Sequence, residues 1–156
     1  MDIGVIVDSS RSVGWKNYET VKRSLAKLTE YFDVSKDGTH FGFIHYNEDA
    51  ILDFDFSDTS LHNPEALTEK IMGMKYDPGR TRTDKAIKMA NERLFTERGG
   101  ARQGVPKFLI VLTDGSTSEG SMPYATVLAP LKVTFLFSFR WFSPVGITDV
   151  PKHTPD

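Results

Sequence analysis

Two hydrophobic runs, each ending abruptly on an aspartate, constrain this chain more than any other feature. Val5-Ile6-Val7 stops at Asp8-Ser9-Ser10-Arg11-Ser12, and Phe108-Leu109-Ile110-Val111-Leu112-Thr113 stops at Asp114-Gly115. Runs this short and this apolar suit parallel strands buried on both faces. In open α/β sheets the carboxyl ends of such strands form the ligand-binding edge. Asp8, Ser10 and Ser12 offer only oxygen atoms there, a donor set suited to hard cations such as Mg²⁺.

The rest of the sequence supplies the layers that such a sheet needs. Residues 2–8 and 107–113 read as central strands. Between residues 15 and 32, Trp15, Tyr18, Val21, Leu25, Leu28 and Phe32 fall on one helical face, with Ser10 or Ser12 as its expected cap. Residues 39–46 and 50–56 read as a hairpin turning at Asn47-Glu48-Asp49, in which Leu52, Phe54 and Phe56 alternate with Asp53 and Asp55. A helix is expected from Pro64 to about Met74, and Asp77-Pro78-Gly79 makes a turn. A further helix runs from about Thr83 to Phe95, with Ala86, Ile87, Ala90 and Leu94 inward and Gly99-Gly100 as its stop. Residues 122–131 complete the helices. The order predicts a three-layer α/β/α, Rossmann-like open sheet, mostly parallel with one antiparallel edge strand.

Composition narrows the function classes. The chain has 156 residues, which fits one domain, and balances 19 basic against 21 acidic side chains, with no basic stripe that would suit nucleic acid. It has no cysteine, so disulfides, zinc-thiolate sites and thiol catalysis are excluded. No apolar run approaches the ~20 residues of a membrane span. No leader precedes the strand at Met1-Asp2, which leaves an excised domain or an intracellular chain as the two readings. The acids Glu48, Asp49, Asp53, Asp55 and Asp58 read as a wet strand face, because no glycine-bearing calcium loop accompanies them. His40, His45, His62 and His153 show no metal-ligand spacing.

A third loop, Gly79-Arg80-Thr81-Arg82-Thr83, precedes a helix and so delivers Thr81 toward the same edge as Asp8, Ser10, Ser12 and Asp114. With Asp8-Ser9-Ser10-Arg11-Ser12-Val13-Gly14 and Thr113-Asp114-Gly115, it makes a three-part motif. In this order the motif resembles that of the von Willebrand factor type A domain family, which includes the inserted domains of integrins. The resemblance covers roughly residues 2–132. It implies a metal-ion-dependent adhesion site holding Mg²⁺, with Mn²⁺ or Ca²⁺ as alternatives. Ser10 and Ser12 are then direct hydroxyl ligands, Thr81 a hydroxyl that joins or leaves the shell, and Asp8 and Asp114 carboxylates that bind directly or through water. Thr83 is expected to cap the next helix. Because hydroxyls are neutral, such a metal stays electrophilic and can take a carboxylate from a partner. The resemblance therefore implies a protein-binding module of an extracellular matrix or cell-surface protein, with collagen or another matrix protein as partner.

Two departures and two competing readings accompany the resemblance. Asp84 stands where the family has a small residue, adding charge near the site. Residues 133–156 form an atypical C-terminal segment in which Val133, Phe135, Phe137, Phe139 and Trp141 alternate as in a strand, and Pro151 and Pro155 oppose the family's closing helix. An intracellular scaffold with the same fold is the first competing reading. A haloacid-dehalogenase-type phosphatase is the second, disfavoured because Ser10 stands where that chemistry needs a general acid. Arg11, Arg80, Arg82 and Ser116 form the expected partner-binding rim. Lys85, Lys88, Arg93, Arg98 and Arg102 are expected mostly on a solvated helix face.

Overall fold

A computed structural model of the chain describes residues 1–114, 118–131 and 134–140. Four strands come from the segments that the hydrophobic pattern marks: β1 (Asp2–Asp8), β2 (His40–Tyr46), β3 (Ala50–Phe54) and β4 (Lys107–Thr113). The fifth, β5 (Thr134–Arg140), is the alternating aromatic run. They form one sheet in the order β3-β2-β1-β4-β5. Among the described strands only the β2–β3 pair is antiparallel; the other pairs are parallel. The expected closing-helix region and the C-terminal prolines lie outside the described residues.

Helices cover both faces. Helices α1 (Trp15–Thr29) and α2 (Pro64–Met72) bury Tyr18, Val21, Leu25, Leu67 and Ile71 against Ile3, Val5, Val7, Phe41 and Phe43. On the other face, α3 (Thr83–Met89) and α4 (Tyr124–Leu128) close over Ile6, Ile44, Leu109 and Val111. The alternation along β1 explains this division: Ile3, Val5 and Val7 point to one layer and Ile6 to the other.

Several local expectations need correction. Neither Ser10 nor Ser12 caps α1; its N-cap is Gly14, at φ 74°, with no side-chain bond. Helix α2 stops at Met72, ahead of Gly73. The helix expected over Thr83–Phe95 is α-helical only to Met89 and continues as a π turn over Ala90–Leu94, marked by the Phe95 N–H donating to the Ala90 carbonyl at 2.8 Å. Gly99-Gly100 lies beyond this end and is not its cap. The π turn aims Leu94 and Phe95 at Gly4 and Gly42, which are register partners on β1 and β2. A Cβ at Gly4 would lie 2.6 Å from the Phe95 ring, and one at Gly42 would collide with Leu94. A side chain at either position would have to displace Leu94 or Phe95, which fill the space its Cβ needs.

At the opposite end of the sheet from the motif, His40 and His62 stack with ring centroids 3.5 Å apart. His40 Nε2 meets the Lys36 carbonyl and His62 Nε2 the Phe56 carbonyl. A carbonyl only accepts, so each Nε2 carries the proton. His40 Nδ1 is left buried with no partner among the described residues. Burial lowers the His40 pKa below 6.5, and His62 and Arg102 push the same way against Asp2 and the Lys36 bond. A base with a lowered folded pKa holds its stability contribution above the unfolded value and loses it as pH falls. Stability should therefore decline below about pH 6.5, and His40→Gln should flatten that part of a denaturation-versus-pH curve.

Candidate metal centre at the carboxyl edge of the sheet

Each motif residue leaves the end of an element. Asp8 closes β1, is 3% exposed, and accepts the Ser10 N–H through Oδ1 at 2.8 Å. That bond folds the chain back, so the Ser10 and Ser12 hydroxyls come within 3.0 Å of each other. Ser10 is fully buried and Ser12 is exposed, so the pair runs from the interior to the surface. From β4, the Thr113 hydroxyl meets Asp8 Oδ2 at 3.3 Å. Asp114 follows and lines the same crevice as Asp8, Val13 and Thr113.

Burial pushes the Asp8 pKa up, and the negative charge of Asp114 adds to it. Hydrogen bonds from Ser10 and Tyr46 act in the opposite sense. Two carboxylates facing one partly dry space disfavour joint ionisation, and a bound dication would relieve that.

Thr81 belongs to a neighbouring loop and joins the group through backbone bonds. The Arg11 N–H donates to the Gly79 carbonyl at 3.0 Å, and the Arg82 N–H to the Asn47 carbonyl at 2.9 Å. Thr81 and Ser118 hold each other twice. The Thr81 N–H donates to Ser118 Oγ at 3.0 Å, and the Ser118 N–H to the Thr81 carbonyl at 2.9 Å. Thr81 is 7% exposed.

Sequence reasoning missed a second layer of residues. Thr83 does not cap α3; its hydroxyl donates to the Tyr46 hydroxyl at 2.8 Å, and Tyr46 in turn bonds Asp8. Ser9 Oγ donates to the Tyr46 and Asp77 carbonyls, Asn47 Nδ2 to Asp77, and the Tyr76 hydroxyl to the Ser10 carbonyl. Polar residues at the end of β2 beside a motif strand are the only sequence signal for them.

The rim residues differ in their freedom. Arg11 is exposed, and Arg80 is exposed with Glu48 4.0 Å away. Ser116 lies outside the described residues. Arg82 is committed inward: its Nε and one terminal nitrogen clamp the Asp84 carboxylate at 2.9 and 2.8 Å. Asp84, 1% exposed, also accepts the Met122 N–H at 3.2 Å. The extra charge is therefore neutralised within the fold. The Arg82 guanidinium holds the Asp84 pKa down to about 2. A depressed carboxylate stabilises above its unfolded value, 3.8, and loses that contribution as pH falls through the folded one. Arg82→Ala should thus melt below the wild type at neutral pH, with the gap closing toward pH 2.

The other charged groups have local roles. Lys85 pairs with Asp49, and Asp58 caps the turn at Thr59–Leu61 through Ser60. Arg102, expected on a solvated helix face, bonds Asp2 at the opposite end of the sheet. Among the described residues no three His, Cys, Asp or Glu side chains converge as a metal site. The candidate set of two carboxylates and three hydroxyls does not call for such a group.

The sequence model of the von Willebrand factor type A domain matches residues 2–136. The chain belongs to that family. Relatives include the mouse collagen alpha-4(VI) chain, 32% identical over 120 residues that cover 76% of this chain and 5% of the relative. Human vitrin is 30% identical over 154 residues, covering 97% of this chain and 22% of its own length. This von Willebrand factor type A domain thus spans under a quarter of either relative. Among solved structures, proximal thread matrix protein 1 of the mussel byssus superposes with a TM-score of 0.79 at 24% identity, covering 88% of this chain and 36% of that one. The same mussel protein with a zinc-occupied MIDAS motif gives 0.78 at 23% identity, covering 88% and 37%. At those identities the likeness concerns the fold. Von Willebrand factor type A domains of this matrix-protein group support an adhesion or protein-binding role.

Proposed function

We propose that this domain binds a partner protein through a divalent cation, Mg²⁺ first and Mn²⁺ or Ca²⁺ as substitutes, held at the carboxyl edge of the sheet. The observation that carries this reading is the Ser10–Ser12 hydroxyl pair, 3.0 Å apart. Neighbouring ligands of an octahedral Mg²⁺, each at 2.0–2.1 Å, stand roughly 2.9 Å apart, so the pair already has the spacing of two adjacent ligands. Ser10 and Ser12 would bind directly, Thr81 would offer a third hydroxyl, and Asp8 and Asp114 would supply the balancing charge. The zinc at the corresponding motif of the mussel relative supports a cation here.

The bound cation would supply Lewis acidity toward an incoming carboxylate. The chain's own residues orient the hydroxyls and keep the deep side dry. Arg11, Arg80 and Ser116 would meet the partner around the cation, while Arg82, held by Asp84, would fix the Thr81 loop. The collagen and vitrin relatives favour an extracellular matrix partner such as collagen. The matrix-protein relatives favour recognition over catalysis. Immobilised collagens and other matrix proteins should retain the domain in Mg²⁺ and release it in EDTA, whereas retention unaffected by EDTA would defeat the metal-borne reading.

A further inference from the structure

Across the parallel ladder Asp8 is the register partner of Tyr46, the last residue of β2. Side chains at matched positions of adjacent parallel strands stand on the same face. Here that is the face covered by α3, where Tyr46 packs with Ile6, Ala86 and Ile87. The Ser9 N–H and the Ser9 hydroxyl both donate to the Tyr46 carbonyl at 2.9 Å, which ties the two strand ends together in that register.

The Tyr46 hydroxyl stands between two elements of the candidate site. It accepts from the Thr83 hydroxyl at 2.8 Å and bonds the Asp8 carboxylate. An ionised carboxylate only accepts, so the Tyr46 proton points to Asp8 and the Thr83 proton to Tyr46. Each bond in such a chain polarises the next. All three side chains are buried. Asp8 is also held by the Ser10 N–H at Oδ1 and the Thr113 hydroxyl at Oδ2, and the bond from Tyr46 adds a third restraint on its rotation.

Thr83 opens α3 and lies two positions after Thr81. The loop that carries Thr81 is therefore joined to the strand that carries Asp8 by a side-chain bridge, besides its backbone bond from Arg11 to Gly79. We propose that Tyr46 and Thr83 are positioning residues for the cation: the chain Thr83–Tyr46–Asp8 fixes the Asp8 carboxylate and holds the Thr81 loop in place beside it. The proposal rests on the cation-binding reading above. Neither hydroxyl need touch the cation; the bridge lessens the ordering that Asp8 and Thr81 must undergo when it binds. Removing such outer partners typically costs about 10–100-fold in metal affinity.

The test is isothermal titration of the domain with Mg²⁺ and with Mn²⁺. Tyr46→Phe keeps the ring and deletes the hydroxyl, and Thr83→Val keeps the side-chain shape. Both should weaken cation binding, Tyr46→Phe by about tenfold or more. Because Thr83 acts through Tyr46, the double variant should bind no more weakly than Tyr46→Phe alone. Thr83→Ser, which restores the hydroxyl, should bind as the wild type does. Melting temperatures in EDTA identify the folded variants. Should Tyr46→Phe not fold, the Thr83 variants decide: loss in Thr83→Val with recovery in Thr83→Ser supports the bridge, and equal affinities overturn it. Wild-type affinity in both Tyr46→Phe and Thr83→Val, or losses that add in the double variant, would overturn the proposal and leave the cation reading standing. A wild type that binds neither cation would overturn both.

Discussion

Leu94→Ala is expected to destabilise the domain by about 2–5 kcal/mol, measured by urea unfolding. Leu94 is fully buried at the end of the π turn and fills the space that Gly4 and Gly42 leave on adjacent strands. Truncation removes apolar contact and opens a cavity over the middle of the sheet, where rigid strand backbone cannot collapse. A double-mutant cycle sharpens the test. Gly42→Ala alone collides with Leu94 and should destabilise, but in the Leu94→Ala background its methyl enters vacated space. The two changes should then be far from additive, with the pair more stable than the sum of the single effects. Additive effects would mean that Leu94 and Gly42 do not share this space.

Arg102→Ala is expected to cost about 3–5 kcal/mol, because it leaves a buried carboxylate unpaired. Asp2 is wholly inaccessible and meets Arg102 three ways: through the backbone N–H at 2.8 Å, through Nε at 2.9 Å, and through a terminal nitrogen at 2.7 Å. The same guanidinium donates to the Met1 and Gly38 carbonyls, each at 2.8 Å, joining the start of β1 to the loop before β2. Arg102→Lys should recover little, since a single ammonium cannot span that fork of acceptors. The double variant Asp2→Asn/Arg102→Ala should be less damaging than Arg102→Ala alone, because it removes the stranded charge. A loss under ~1 kcal/mol for Arg102→Ala would show that water replaces the guanidinium.

The sheet was legible because its strands bury both faces or alternate cleanly. Nothing else in the chain reads like Val5-Ile6-Val7 or Leu109-Ile110-Val111, and their aspartate endings gave the direction of the functional edge. What escaped were contacts made by residues of ambiguous chemistry. Gly4 and Gly42 lack a side chain, so no pattern reveals that Leu94 and Phe95 occupy their place. A π turn keeps helical periodicity for most of its length and breaks register only at its end. Thr83 before a helix reads as a cap, yet its hydroxyl has a better partner in Tyr46, placed there by the parallel packing of β1 on β2. Asp84 and Arg82 read as an added charge and a rim group, but two residues apart at a helix start they clamp each other. Arg102 sits among basic residues that suggest a solvated face, and only the fold brings Asp2 to it.

The most direct test of the central claim is the melting temperature in Mg²⁺ and in EDTA, for the wild type and Asp8→Ala. A cation that binds only the folded state adds ~2.7 kcal/mol of stability at 100 times its dissociation constant. Asp8→Ala removes the acceptor of the Ser10 N–H and the Thr113 hydroxyl, so each protein is compared with its own melting temperature in EDTA and only the Mg²⁺-dependent change is read. The account predicts a Mg²⁺-dependent rise in the wild type that Asp8→Ala abolishes. A well-folded wild type whose melting temperature does not move with Mg²⁺, or a rise that persists in Asp8→Ala, would contradict it.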